Sequence, residues 1–186
     1  NKWMKLRDTC PHIAITSDII VGFPGESQTD FEQTLQLIKT VEFDGLFAFQ
    51  YSDRPQAPSV KLPDKLPEPI IRKRLQILLK LQEKFTRHKN EALVGSTPLV
   101  LTDGLSKKQA SDQPVENGPE RQWSGRTSTN KIVNFYVDEP AIDCENLTGK
   151  MVGVRIDKGF SHSLLGRVIN VEPSAGGLKG VKNYAA

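Results

Sequence analysis

Apolar and polar positions along this chain follow two different rhythms. Residues 13–21 turn almost continuously apolar or β-branched toward Ile19-Ile20-Val21, as strands do when a parallel sheet is covered on both faces. Residues 28–40 switch to a helical period, with Phe31, Leu35 and Ile38 on one face. Residues 45–51 (GLFAFQY) return to a buried strand, followed by a proline-stiffened loop at 52–58. Pro67 and Pro69 open a long helix running to about residue 90. Its apolar stripe reads Ile71, Leu75, Leu78, Leu79 and Phe85, with Arg72, Lys73, Lys80 and Lys84 toward solvent. The order β-α-β-α predicts a parallel sheet. Two strands are too few for a stable one, so further strands are expected from sequence outside this chain or from another chain. Until they are supplied, exposed apolar surface and self-association are expected.

After residue 90 helical periodicity gives way to short β-branched runs between turn residues. Strands are predicted at 97–102, 123–127, 132–136, 150–157 and 164–170, the pattern of a small all-β barrel. Residues 105–121 are polar and read as a mobile loop, and 171–186 read as a tail. No internal repeat is visible.

Composition narrows the class without choosing a function. The 186 residues allow one large or two small domains, and 37% hydrophobic with 25% charged residues is the texture of a soluble globular protein. No apolar run approaches a membrane span, and no signal peptide is visible. Cys10 and Cys144 lie far apart without a CxxC partner, as thiols of a reducing compartment do, so a cytoplasmic location is expected. A net charge of +3 permits a polyanionic partner without requiring one. The chain begins at Asn1, without an initiator Met, in what reads as the end of a helix, so preceding sequence is expected.

Two motifs carry candidate chemistry. Gly22-Phe23-Pro24-Gly25-Glu26-Ser27 follows the first strand directly, at the carboxyl end where α/β folds place ligands. Its glycines permit left-handed backbone and close ligand approach, and Ser27 can cap the next helix with Asp30. The plain alternative is a well-made strand-to-helix turn, in which Glu26 is only a carboxylate favoured by the helix N-terminus. The second motif spans residues 124–135 (SGRTSTNKIVNF). It joins cations (Arg126, Lys131), amides (Asn130, Asn134), hydroxyls (Ser124, Thr127, Thr129) and the aromatic Phe135, groups that hold phosphates and stack bases. Lys150, Arg155, Lys158, His162 and Arg167 could extend this patch. Its plain alternative is a solvated hairpin.

The segments DIIVGFPGE (18–26), Tyr51-Ser52-x-Arg54-Pro55, PEPIIRKRLQILLKLQEK (67–84) and SGRTSTNKIVNF occur here in a familiar order. From about residue 3 to 170 the chain resembles the C-terminal part of the radical S-adenosylmethionine methylthiotransferases. It most resembles the tRNA branch, the MiaB-type 2-methylthio-isopentenyladenosine synthases, because Thr-Asn-Lys-Ile-Val-Asn-Phe follows Gly-Arg-Thr. Gln56-Ala57 depart from the commoner Gly-Thr of the family.

That resemblance implies an α/β unit at 1–90, the C-terminal part of a partial TIM-like radical barrel. A small all-β TRAM barrel that binds RNA would follow at 91–170, with the tail at 171–186. It implies a parent enzyme that cleaves S-adenosylmethionine reductively and adds a methylthio group to isopentenyladenosine beside the anticodon. The parent would use two 4Fe-4S clusters whose cysteine ligands are not in this chain, so this stretch alone should be inactive. Gly22, Phe23, Pro24, Gly25 and Glu26 would line the S-adenosylmethionine pocket, mainly by backbone contacts and packing. Tyr51, Ser52 and Arg54 would face the mouth of the site, Arg54 as a bidentate anion holder or as a loop salt-bridge partner of Asp53. Ser124, Arg126, Thr127, Asn130, Lys131, Asn134 and Phe135 would contact RNA. No catalytic residue or metal ligand is expected within the chain; Cys10 with His12 offers one thiol where a cluster needs three or more. The implied partners are the tRNA anticodon stem-loop and the N-terminal part of the same enzyme, with no membrane. Two alternatives stand beside this reading: a methylthiotransferase acting on a ribosomal protein, and a stand-alone, non-catalytic RNA-binding module.

Overall fold

The computed structural model describes residues 2–106, 121–137 and 146–171. They fall into two units, divided between Lys89 and Asn90.

The first unit holds helix α1 (Lys2–Thr9), strand β1 (Thr16–Val21), helix α2 (Gln28–Val41), strand β2 (Gly45–Gln50) and most of helix α3 (Glu68–Glu91). A short 3-10 turn at Pro58–Lys61 interrupts the link from β2 to α3. The two strands pair in parallel, from Thr16 opposite Gly45 to Val21 opposite Gln50. One face of this sheet carries Ile19, Val21, Leu46 and Ala48 into a core with Phe31, Ile38, Val41, Phe43, Ile71 and Leu78. The other face leaves Ile20, Phe47 and Phe49 exposed, at 53%, 63% and 56%. The alternation thus defines two apolar faces, and α2 and α3 cover one of them.

Two expectations for this unit need correction. The first strand begins at Thr16 rather than residue 13. Ile15 instead bonds Asp44 twice: its N–H donates to the carboxylate at 3.0 Å, and its carbonyl accepts from the Asp44 N–H at 2.8 Å. Leu79 lies on the solvent side of α3. The packed stripe is Ile71, Arg74, Leu75, Leu78, Leu81, Gln82 and Phe85, a strict three-and-four spacing in which two polar residues occupy core positions. Leu79 falls one step out of that phase.

The second unit is a closed barrel of five strands: β3 (Leu99–Leu105), β4 (Gln122–Thr127), β5 (Ile132–Tyr136), β6 (Met151–Gly159) and β7 (Leu164–Val171), in the order β3-β4-β5-β7-β6. All neighbours are antiparallel except β5 and β7. Closure removes the free edges that a five-stranded sheet would expose. Val100, Trp123, Val133, Phe135, Val152, Val154, Ile156, Leu164 and Val168 fill its interior with Leu147. Gly125 also points inward, where an added Cβ would lie 2.4 Å from the Leu101 carbonyl oxygen, so the barrel wall admits no side chain there. Leu105 belongs to β3 and Val171 to β7, both beyond their expected ends. The rest of the expected loop at 105–121, apart from Ser106 and Arg121, and of the expected tail lies outside the described residues, as does Cys144. No helix among the described residues is long and apolar enough to cross a membrane.

Candidate functional site

The glycine-bracketed turn is built from the carboxyl end of β1. Pro24 and Gly25 occupy the central positions of a turn closed by the Glu26 N–H on the Phe23 carbonyl, at 2.9 Å. Gly25 has φ +85°, as the third position of a type II turn demands, with proline before it. Gly22 has φ +77° and no room for a side chain: a Cβ would sit 2.5 Å from Ile71 Cγ1. Ser27 then starts α2 through a reciprocal cap. Its hydroxyl accepts from the Asp30 N–H at 3.1 Å, and Asp30 Oδ2 accepts from the Ser27 N–H at 2.9 Å. Bonds from the Ser27 side chain and then its backbone hold the Asp30 carboxyl below its ordinary pKa.

Glu26 closes the loop onto the fold. Its Oε2 accepts the Gly22 N–H at 2.7 Å and the Arg74 guanidinium at 2.5 Å. Arg74 also donates to the Glu26 carbonyl at 2.9 Å and stacks over Phe31 at 5.2 Å. Both side chains are buried, 7% and 11% exposed. Glu26 is therefore an internal latch rather than a free carboxylate at a helix N-terminus.

A further loop amide is spent in the same way. The Gly25 N–H bonds the Asp64 carbonyl at 3.0 Å. The loop consequently offers little as an anion-binding nest. It offers shape: Gly25 is open on its Cα side, and Phe23 is exposed and meets Tyr51 edge-to-face at 5.2 Å. Such a surface can hold a flat or apolar group by packing rather than by donated hydrogen bonds.

At the end of β2 the Tyr51 hydroxyl donates to Asp53 at 3.0 Å, and Lys65 pairs with the same carboxylate at 2.6 Å. Those two bonds, Lys65 first, lower the Asp53 pKa. Asp53 is thus engaged by Lys65 and Tyr51 rather than by Arg54, which is exposed beside Ser52 on the loop. Gln56 sits at φ +71°, in the left-handed region that glycine adopts most readily.

In the barrel, the second motif forms β4, its turn and β5. Four residues, 128–131, connect the strands, and Asn130 takes the left-handed position at φ +61°, where asparagine is tolerated. Arg126 is exposed; its guanidinium bonds Asn130 Oδ1 at 2.9 Å and lies 3.6 Å from Asp103. Thr127 and Thr129 hydroxyls meet at 3.0 Å. Lys131 reaches Asn90 Oδ1 at 2.8 Å, and Asn90 donates onward to the Phe160 carbonyl at 2.6 Å. Ser124 and Asn134 face each other on the outer surface.

Phe135 is the correction. Its ring is fully buried in the barrel core beside Val133 and Trp123, so it has no face to offer a base. Strand alternation explains it: residues 133 and 135 share the inward side, while 134 and 136 share the outer one. Arg74 and Gln82 were missed for a related reason. Their signal was polarity at core-phase positions of α3, where Gln82 donates to the Phe43 carbonyl at 2.8 Å. Cys10 is an exposed free thiol. Among the described residues no three His, Cys, Asp or Glu side chains gather as metal ligands.

No protein-family model matches the chain. Among curated proteins, it is 44% identical over 165 residues to the tRNA-2-methylthio-N(6)-dimethylallyladenosine synthase of Syntrophus aciditrophicus, covering 89% of this chain and 32% of that protein. The enzymes of the same name from Desulfosudis oleivorans and Syntrophobacter fumaroxidans are 43% and 44% identical, over 92% and 91% of the chain and 37% and 34% of their own lengths. The chain spans about a third of the length of these relatives. Over the stretch that it covers, the chain is a homologue of proteins named tRNA-2-methylthio-N(6)-dimethylallyladenosine synthase.

Proposed function

We propose that this chain is the C-terminal part of a cytoplasmic tRNA methylthiotransferase that adds a methylthio group to isopentenyladenosine beside the anticodon. The observation that carries this reading is identity of 43–44% across nine-tenths of the chain to synthases of that name. Those names do not favour a ribosomal-protein substrate or a stand-alone RNA module.

In this reading the first unit is the end of a radical S-adenosylmethionine barrel. Its exposed face of Ile20, Phe47 and Phe49 would lie against the rest of that barrel. S-adenosylmethionine, with 4Fe-4S clusters held by cysteines outside this chain, would supply the radical and sulfur chemistry. Phe23 and the open side of Gly25 would pack against the cofactor, Glu26 and Arg74 would hold the loop, and Tyr51 and Arg54 would stand at the mouth. The second unit would be a TRAM barrel binding the anticodon stem-loop. Arg126, Asn130, Thr127 and Lys131 on the hairpin turn, with Ser124 and Asn134 on the outer wall, would supply its polar contacts.

Binding of the full-length protein to tRNA, titrated with salt, tests the RNA half of the proposal. Removing one cation from a phosphate should lower the logarithmic salt slope by about 0.7–0.9. Arg126→Ala should weaken binding and flatten the slope by about that much. An unchanged affinity and slope would remove Arg126 from the interface.

A further inference from the structure

With Phe135 inside the barrel, the proposed RNA surface lacks an aromatic, and the strand register shows where another stands. Tyr136 lies opposite Gln122 on β4 and Arg167 on β7, and Arg167 lies opposite Arg155 on β6. These four residues form one row across four strands, with neighbours about 4.8 Å apart. The row faces outward, since the buried residues of the same strands, Trp123, Phe135, Gly166, Val154 and Ile156, hold the alternate positions.

The row is organised before any ligand arrives. The Gln122 amide donates to the Tyr136 hydroxyl at 2.8 Å, fixing the far end of the ring. Arg167 and Arg155 meet at one carboxylate, Asp157, at 3.2 and 3.5 Å. Both arginine side chains are more than half exposed, and the shared carboxylate sets a pair of cations beside the ring. A held aromatic ring next to paired arginines suits unpaired nucleotides, whose bases stack on the ring while cations meet the phosphates.

Building on the RNA-binding reading, we propose that Tyr136 is the base-stacking residue of the barrel and that the Arg155–Asp157–Arg167 group grips the adjoining phosphate of single-stranded RNA. The test uses the full-length protein and a fluorescent synthetic anticodon stem-loop RNA. Tyr136→Ala should weaken binding by about 5- to 150-fold, the range for loss of one stacked base. Tyr136→Phe, which keeps the ring, should stay within about twofold of the parent protein. Arg167→Gln should lower the salt slope by about 0.7. Ultraviolet crosslinking of the unaltered protein should attach RNA to the tryptic peptide spanning 132–150 at Tyr136, a readout independent of whether the alanine variant folds. Unchanged affinity in a folded Tyr136→Ala protein, or crosslinks that avoid this peptide, would overturn the assignment while leaving RNA binding intact. Failure of the unaltered protein to bind the RNA would overturn the RNA reading itself.

Discussion

At the scale of single residues, Arg74 shows how a core position serves a loop it does not belong to. It stands in the packed phase of α3, yet its guanidinium is spent on Glu26, whose carboxylate in turn takes the Gly22 N–H. Removing one partner of a buried ion pair leaves the other charged and desolvated, at about 3–5 kcal/mol. Arg74→Ala should therefore destabilise the chain by about that amount in denaturant unfolding. Arg72, two residues earlier, pairs with Glu68 but is 63% exposed. Its alanine variant should shift stability by less than about 1 kcal/mol. Equal effects from the two variants would mean that the latch is not what holds the loop.

The residue scale is also where the sequence misled. Phe135 stands among cations and amides, so composition pointed to a base-stacking ring. Register placed it inside, in phase with Val133. Lys131 was legible as a cation, but its bond to Asn90 depends on a residue 41 positions away, which no local pattern encodes.

At the scale of elements, α2 is set by its first turn. The Ser27–Asp30 box satisfies amides that the helix leaves open. Ser27→Ala should cost about 1 kcal/mol in unfolding experiments. Because the cap lowers the Asp30 pKa in the folded chain, its stabilisation is full above the unfolded value and fades as pH falls through the folded one. An acid titration should thus show the Ser27→Ala penalty above about pH 4 and its shrinkage below. A penalty independent of pH would contradict the cap's role. Elements with regular alternation or period, β5 and α2, were legible to within a residue. Strands β3 and β6 were not, because bulges near Gly104, Val154 and Lys158 break their register. Polarity at residues 74 and 82 likewise blurred the stripe of α3 and let Leu79 pass as core.

At the scale of the whole molecule, each unit keeps one surface for something else. In the first, an apolar sheet face bearing two exposed phenylalanines is the kind of patch that soluble chains usually cover. In the second, the outer barrel wall carries hydroxyls, amides, arginines and Tyr136, while its interior is uniformly packed. The order of an α/β unit before a β-barrel was readable from the change of period near residue 90. Where the barrel closes was not, because closure depends on β3 pairing with β6 across some fifty residues.

The central claim is that this chain is part of an enzyme that methylthiolates tRNA. Nucleoside mass spectrometry tests it directly, on tRNA from cells lacking the full-length gene and from the same cells with the gene restored. The account predicts that 2-methylthio-isopentenyladenosine disappears on deletion, with isopentenyladenosine in its place, and returns on restoration. An unchanged nucleoside profile would contradict it.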